Sequence, residues 1–373
     1  MRVHFFSPPP RVRTDRAPAT TLLGRTGGNT GNLLFVSALV RQIAHDEASF
    51  GYRFDADDIN ANADLVVVPA ANWLQTGVDL RDRYEALEPV RVPILVAGLG
   101  AQAGEEGEIP DLPEGTRAFL RLISERGVSV GTRGAFTTRV LEHYGVGNAA
   151  TVGCPSLYFH CRPEFPAIRP PGDLVEERVA LQATKHEAKP RALRRPGRVA
   201  TQRRLVGAAM ASRTAYVLQS EREEILLALG AGLEPEAARK LALYYGVDDL
   251  AAIVGFVARM RVFFDVGAWM DFLAGLDFVC GSRLHGAITS LLAGTPATLL
   301  VHDSRTAEMA DLAALPRFGL ADFLAVAETE GTMAAVRRAA TAFSAAQLVE
   351  RFPENYRAYR AFLEANGVAH RLG

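Results

Sequence analysis

The stretch Asp277-Phe278-Val279-Cys280-Gly281-Ser282-Arg283-Leu284-His285-Gly286 decides the fold. Its apolar start, Asp277–Cys280, predicts a short buried strand, and Gly286 to Ala293 predicts a helix. After Gly294-Thr295-Pro296, the run Pro296–Val301 predicts the next strand, and His302-Asp303-Ser304-Arg305 follows it. Arg283 and His285 therefore sit on a strand-to-helix turn. Asp303 and Arg305 sit just past the end of the neighbouring strand. In an open α/β sheet the carboxyl ends of the strands face the ligand crevice. Two arginines and a titratable imidazole thus converge where an anionic substrate would lie.

The same alternation runs through the chain. Strands are expected at Val3–Phe6, Asp64–Pro69, Pro93–Gly98, Val128–Thr132 and Ala149–Val152, with helices at Gly31–Ala44, Asp79–Glu88, Gly115–Arg126 and Arg133–Tyr144. Strand and helix in turn argue for parallel sheets with crossover helices. Pro163, Pro166, Pro170 and Pro171 then interrupt both periodicities and mark a linker. Beyond it, strands are expected at Arg178–Gln182, Ala215–Gln219, Arg261–Asp265, Asp277–Cys280 and Ala297–Val301. Ser220–Val257 reads as mostly helix, with Ser220 and Glu223 as a capping box. The tail from Gly331 reads as helices able to fold back across the linker. The expected fold class is α/β, with two Rossmann-like domains facing a cleft in a glycosyltransferase-B-like arrangement. Residues 1–165 form the first domain, 173–330 the second, and 331–373 a C-terminal helical segment.

At 373 residues the chain is long enough for two cores. The 41 basic and 42 acidic residues nearly cancel, which argues against a nucleic-acid partner. Cys154, Cys161 and Cys280 have no metal-ligand spacing and form an odd set, which fits a reducing cytosol. The start is too short for a signal-peptide core, and no window reaches the roughly 20 apolar residues of a membrane span. A cytoplasmic enzyme is expected, meeting any lipid-linked substrate at the inner face of the membrane.

Several glycine-rich loops end the expected strands. Gly27-Gly28-Asn29-Thr30-Gly31-Asn32 opens the first long helix, either as a capped tight turn or as an anion cradle. Gly98-Leu99-Gly100-Ala101-Gln102-Ala103-Gly104 is either a connector or a lid over the cleft. Arg133 follows a strand end, where a guanidinium holds carboxylate or phosphate bidentately or serves a surface ion pair. Gly153-Cys154-Pro155-Ser156 offers Ser156 and backbone N–H groups to a ligand. Cys154 reads either as a nucleophile, for which sequence places no histidine nearby, or as a buried, inert thiol, the reading favoured.

His285 is the sharpest candidate. Nearby cations lower an imidazole pKa and a bound dianion raises it. That coupling suits a general acid charged only when substrate is present. The basic run Lys185 to Arg204 reads as a solvated loop, or as a surface for a nucleotide diphosphate or an anionic bilayer. Asp55-Ala56-Asp57-Asp58 reads as a helix cap or loop, and no metal is expected.

Thr132-Arg133-Gly134-Ala135-Phe136-Thr137, Gly153-Cys154-Pro155-Ser156-Leu157, Gly281-Ser282-Arg283-Leu284-His285-Gly286 and His302-Asp303-Ser304-Arg305 together resemble the polysaccharide pyruvyl transferase family. Gly28-Asn29-Thr30-Gly31-Asn32 is similar to that family's N-terminal Gly/Asn loop. The resemblance implies transfer of pyruvate from phosphoenolpyruvate onto two hydroxyls of a sugar, as a cyclic ketal, with no cofactor. By motif it places the catalytic roles on Arg133, His285 and Arg305. From the residues themselves, Arg283, Asn29, Asn32, Gly28, Gly153, Ser156 and Asp303 are expected as substrate contacts; neither they nor the resemblance identify the hydroxyl base, for which Asp303, Glu308 and Asp265 are the candidates. Some members carry Lys where this chain has Arg305. Members often have Asp after the residue matching Arg133; here that residue is Gly134, so the acid's role is absent or relocated. The acceptor implied is a sugar, a nucleotide sugar or a lipid-linked saccharide, with exopolysaccharide assembly as the setting. The competing readings are a glycosyltransferase with a nucleotide-sugar donor on the same architecture, and a catalytically silent glycan-binding relative.

Overall fold

The computed structural model describes residues 1–102, 107–184 and 196–373, and of Pro196, Arg198 and Arg305 the backbone alone. The first half carries β1 (Arg2–Phe5), β2 (Glu47–Phe50), β3 (Leu65–Pro69), β4 (Asn72–Leu74), β5 (Ile94–Ala97), β6 (Gly100–Ala101), β7 (Val130–Thr132) and β8 (Ala149–Thr151). Four of these form a parallel sheet in the order β2-β1-β3-β5. A bridge from Leu99 to Thr132 carries that sheet on to the parallel pair β7-β8.

β3 shows why the strands are parallel and central. Its sequence, Leu-Val-Val-Val-Pro, is buried at every position. Val66 and Val68 enter one apolar layer, while Leu65 and Val67 enter the other. A strand covered on both faces needs an unbroken apolar run rather than an alternating one. Each such side chain contributes about 1.5–3 kcal/mol of burial.

The second half carries β9 (Val179–Gln182), β10 (Ala215–Val217), β11 (Met260–Arg261), β12 (Phe278–Gly281), β13 (Ala297–Leu300) and β14 (Arg317–Phe318). They form one parallel sheet in the order β11-β10-β9-β12-β13-β14. Counted within this half, that is the 3-2-1-4-5-6 order of the Rossmann fold, and the order reverses between β9 and β12. The molecule is therefore α/β, with two Rossmann-like sheets in a glycosyltransferase-B-like arrangement.

The last helix, Ala346–Ala365, returns to the first half. There Tyr359 donates to Gln42 at 2.7 Å, and Asn366 bonds Ser129 through both its backbone N–H and its hydroxyl. Ile43 and His370 form an antiparallel bridge beside it.

Two local expectations need correction. Ser220 and Glu223 form no capping box. The helix Arg222–Ala228 begins after Glu221 with no side-chain cap, and the Ser220 hydroxyl is taken up by Arg283. The strand β2 was not expected, because Glu-Ala-Ser-Phe at a sheet edge is mostly exposed and carries no apolar run.

Candidate active site

Nearly every loop that sequence singled out leaves a strand at its carboxyl end, and the two sheets present those ends to one cavity. The cavity measures about 260 Å³. From the first half, Asn29, Asn32, Asn72, Gln75, Gln102 and Arg133 line it; from the second half, Gln219, Arg283, His285 and Asp303 do. Of the site residues expected from sequence, Asn29, Asn32, Arg133, Arg283, His285 and Asp303 are thus brought together.

His285 lies in the first turn of the helix Leu284–Leu292, directly after β12. The glycines bracketing this turn have a packing reason. A Cβ on Gly281 or on Gly286 would collide with Gln182 at the end of β9. The block reaches the switch point between β9 and β12 because those two side chains are missing. The His285 ring packs on Phe35 with centroids 5.4 Å apart. Its Nε2 lies 3.8 Å from Cys154 Sγ, and Ser156 Oγ donates to that sulfur at 2.8 Å. Cys154 and Ser156 are both fully buried. The sequence reading of Cys154 as a thiol without a histidine is therefore corrected. The two residues are distant in the chain, and only the meeting of the two halves joins them.

Arg133 is 2% exposed and projects from the end of β7. Its Nε donates to Gly98 O at 2.8 Å and its Nη2 to Ala70 O at 3.3 Å. These carbonyls end or follow neighbouring strands, so the guanidinium is fixed by the sheet itself rather than by a surface ion pair. Arg283 is also buried, but its charge is met. Its Nη2 pairs with Glu221 and donates to Ser220 Oγ at 2.8 Å, while Nε donates to Ala183 O at 3.1 Å. Glu221 in turn accepts from the backbone N–H groups of Gln219 and Ser220. Sequence gave no sign of Glu221, which lies 62 residues from Arg283.

Asp303 lines the cavity while capping the helix Ser304–Ala313. Its Oδ1 accepts from Thr306 N–H at 2.8 Å, and its Oδ2 lies 3.5 Å from His302 Nε2. The backbone of Arg305 sits in the first turn of that helix, at the carboxyl end of β13; its side chain lies outside the described part. Residues 185–195 of the basic run, and 103–106 of the loop after β6, also lie outside it.

Glu308 occupies an informative position. A Cβ on Gly134 would come within 2.7 Å of Glu308 Oε2. A carboxylate thus stands against the very residue where the resemblance led one to look for Asp. Burial pushes the Glu308 carboxyl pKa up, and the Thr137 hydrogen bonds and the Arg133 charge oppose that rise.

Three of the expected contacts lie elsewhere than in the cavity wall. Gly28, Gly153 and Ser156 do not line the cavity. Gly28 and Gly153 hold left-handed turns with φ of 80° and 82°. Ser156 acts behind Cys154. Asp265, one of the candidate bases, caps the helix Val266–Ala274 and pairs with Arg11 at 3.2 Å, away from the cavity lining. Asp55 caps the helix Ala56–Asn62 by accepting from Asp57 N–H. Among the described residues no cluster of His, Cys, Asp or Glu is placed to hold a metal, and no helix is long and apolar enough to cross a membrane.

No curated protein matches the chain in sequence. Solved structures resemble it at low identity. A UDP-N-acetylglucosamine 2-epimerase from Rickettsia bellii is 10% identical over 98% of this chain and 95% of its own, with a TM-score of 0.44. A functionally uncharacterised protein from Klebsiella pneumoniae is 11% identical over 83% of this chain and 87% of its own, with a TM-score of 0.40. Anabaena HepE, solved with UDP and glucose, is 11% identical over 96% of this chain and 100% of its own, with a TM-score of 0.37. The family model described as polysaccharide pyruvyl transferase matches residues 25–304, which take in strands of both sheets and every cavity-lining residue named above. The chain belongs to the polysaccharide pyruvyl transferase family.

Proposed function

We propose that this enzyme moves the pyruvyl group of phosphoenolpyruvate onto two hydroxyls of a sugar, forming a ketal and releasing phosphate. The observation that carries the reading is the joint presence of Arg133 and His285 in one cavity, each supplied by a different sheet. Phosphoenolpyruvate brings a carboxylate and a phosphate, so it calls for a fixed cation. Its methylene carbon calls for an acid.

The steps balance without an oxidant or a cofactor. His285 gives a proton to the methylene carbon, and C2 becomes electrophilic. One sugar hydroxyl adds at C2 and loses its proton to a base. The C2–O bond to phosphate breaks, and the second hydroxyl closes the ketal. Of the two hydroxyl protons, one replaces that spent on the new methyl group and the other accounts for the released phosphate. Arg133 holds the developing anions, and Arg305 joins it by motif. Arg283 orders the turn through Glu221 and lines the pocket beside the donor. Asp303 remains the base candidate that lines the cavity.

The acceptor fits the rest of the lining. Asn29, Asn32, Asn72, Gln75, Gln102 and Gln219 give the cavity a wall of carboxamides. A carboxamide carries a donor and an acceptor side by side, which matches sugar hydroxyls, although Asn72 and Gln102 also bond each other at 2.9 Å and Asn29, Asn32 and Gln75 each spend one group on backbone. The reaction belongs in the cytoplasm, where phosphoenolpyruvate is made, and suits a nucleotide-sugar or a lipid-linked acceptor.

The test is thermal stabilisation by phosphoenolpyruvate, compared with nucleotide sugars, for wild type and Arg133→Ala. A ligand at 100 times its dissociation constant adds about 2.7 kcal/mol. Stabilisation by phosphoenolpyruvate that Arg133→Ala abolishes supports the donor assignment. Absence of any phosphoenolpyruvate response, with a nucleotide sugar present or not, overturns it in favour of a glycosyltransferase.

A further inference from the structure

We propose that Cys154 is a positioning residue that fixes the tautomer of His285, so that the ring carries its transferable proton on Nδ1. The inference rests on the reading of His285 as the acid, and it names which nitrogen acts.

Two contacts carry it. Ser156 Oγ donates to Cys154 Sγ at 2.8 Å, which occupies the sulfur as an acceptor. The hydrogen of the thiol then serves the neighbour on its other side, and that neighbour is His285 Nε2 at 3.8 Å. An Nε2 that accepts cannot carry the proton of the neutral ring. The tautomer of an imidazole is set in this way by the bond its other nitrogen makes.

The second nitrogen faces the ligand side. A Cβ placed on Gly31 would stand 3.3 Å from His285 Nδ1, 3.0 Å from Asn29 Oδ1 and 2.5 Å from Gln219 Oε1. Asn29 and Gln219 both line the cavity. Nδ1 therefore opens toward the carboxamide wall, with Gly31 leaving the space between. Nε2 points the opposite way, into a fully buried Cys–Ser pair.

The pair has a further property. Cys154 and Ser156 follow β8 in the first half, whereas His285 follows β12 in the second. The ring is set only when the two halves meet.

In the proposed reaction the Nδ1 proton passes to the methylene carbon of phosphoenolpyruvate. As it leaves, Nδ1 needs a replacement. A hydroxyl proton of the acceptor, delivered from the same face, restores the ring. As Nδ1 gives up its proton the thiol hydrogen shifts to Nε2, so the ring stays neutral, and it returns to sulfur when Nδ1 takes the acceptor's proton.

The experiment is long-range ¹⁵N–¹H correlation NMR of the full chain with labelled histidine. His285→Gln identifies the His285 signals by their loss from the set of eight histidines. The expected result for wild type is a neutral ring with Nδ1 protonated and Nε2 bare. Cys154→Ala should convert it toward the Nε2-protonated form, and Ser156→Ala should do so in part. Cys154→Ser keeps a donor at the same place and should retain much of the wild-type pattern. With phosphoenolpyruvate and acceptor, Cys154→Ala should lower kcat by about tenfold or more while its KM for phosphoenolpyruvate changes little. An Nε2-protonated ring in wild type overturns the inference whether or not any variant folds. So does a His285 tautomer that ignores both Cys154→Ala and Ser156→Ala. The NMR is read without any substrate. If phosphoenolpyruvate proves not to be the donor, that reading falls by its own assay and the tautomer result stands separately.

Discussion

Glu308 caps a helix that belongs to the other half of the molecule. Its carboxylate accepts from the Thr137 hydroxyl at 2.8 Å and from the Thr137 backbone N–H at 3.1 Å. Thr137 lies in the first turn of the helix Ala135–His143, which has no side-chain cap of its own. An anion at a helix N-terminus is stabilising, and here it also ties the helix Ser304–Ala313 to the opposite sheet.

The pair makes stability depend on pH. Burial raises the Glu308 pKa above the ordinary carboxyl value, although the Thr137 bonds and Arg133 lower it in part. A raised acid binds more protons folded than unfolded. Stability should therefore fall as pH rises from the unfolded carboxyl pKa, about 4.3, through the raised folded value. Glu308→Gln removes the charge and keeps an acceptor. It should flatten that slope and melt higher than wild type above this window. Glu308→Ala removes the cap and should cost about 1 kcal/mol. Thermal melts across pH check both, and a Gln variant with an unchanged slope would sink the assignment.

His285→Ala should separate binding from chemistry. The acid contributes about 10²–10⁴-fold in rate. Turnover should fall by that range, while phosphoenolpyruvate still stabilises the protein against heat. Phosphate release and melting curves on the same preparation decide it. Loss of the thermal response together with turnover would make His285 a binding residue instead.

Much of this was legible in the sequence, and the rest was not for definite reasons. β3 and β12 announced themselves because strands buried on both faces need unbroken apolar runs. The helix at Leu284–Leu292 was placed by the glycines before it. β2 escaped because an edge strand has little to bury. The convergence of Arg133 and His285 could be expected, since each follows a strand end. What could not be read was pairing over long separations: Cys154 with His285, Glu221 with Arg283, and Glu308 with Thr137. Each of these depends on how two distant segments pack, and no local pattern records it. Glu308 at least left a trace, in the glycine at position 134 that makes room for it.

Arg133→Lys should fail in two ways at once. The guanidinium serves both Gly98 O and Ala70 O while 2% exposed. An ammonium cannot span both carbonyls and keep a planar face for an anion. Leaving a buried acceptor unpaired costs about 1–3 kcal/mol. The variant should melt lower than wild type and bind phosphoenolpyruvate at least about tenfold more weakly, a loss of about 1.4 kcal/mol. Calorimetric titration and melting measure the two effects. Unchanged affinity with lowered stability would confine Arg133 to a structural role.

Gly28 and Gly31 should respond to alanine in opposite ways, although they share one loop. Gly28 has φ of 80° and open space where a Cβ would go. Alanine there meets only the left-handed backbone, a cost of about 1–2 kcal/mol. Turnover per folded molecule should be untouched, because Gly28 lies outside the cavity lining. Gly31 has an ordinary helical φ of −59°, so alanine brings no backbone strain. Its methyl group would instead stand 2.5 Å from Gln219 Oε1 and 3.3 Å from His285 Nδ1. The neighbouring Thr30 N–H donates to Gln219 O at 2.8 Å, so the contact lies on a seam between the two halves. Overpacking of this kind costs about 1–3 kcal/mol, and here the methyl also intrudes on the cavity-facing nitrogen. Gly31→Ala should therefore lose turnover in the fraction that remains folded. Phosphate release normalised to folded protein separates the two substitutions. Equal turnover in both would mean that the space before Nδ1 is not used by the substrate.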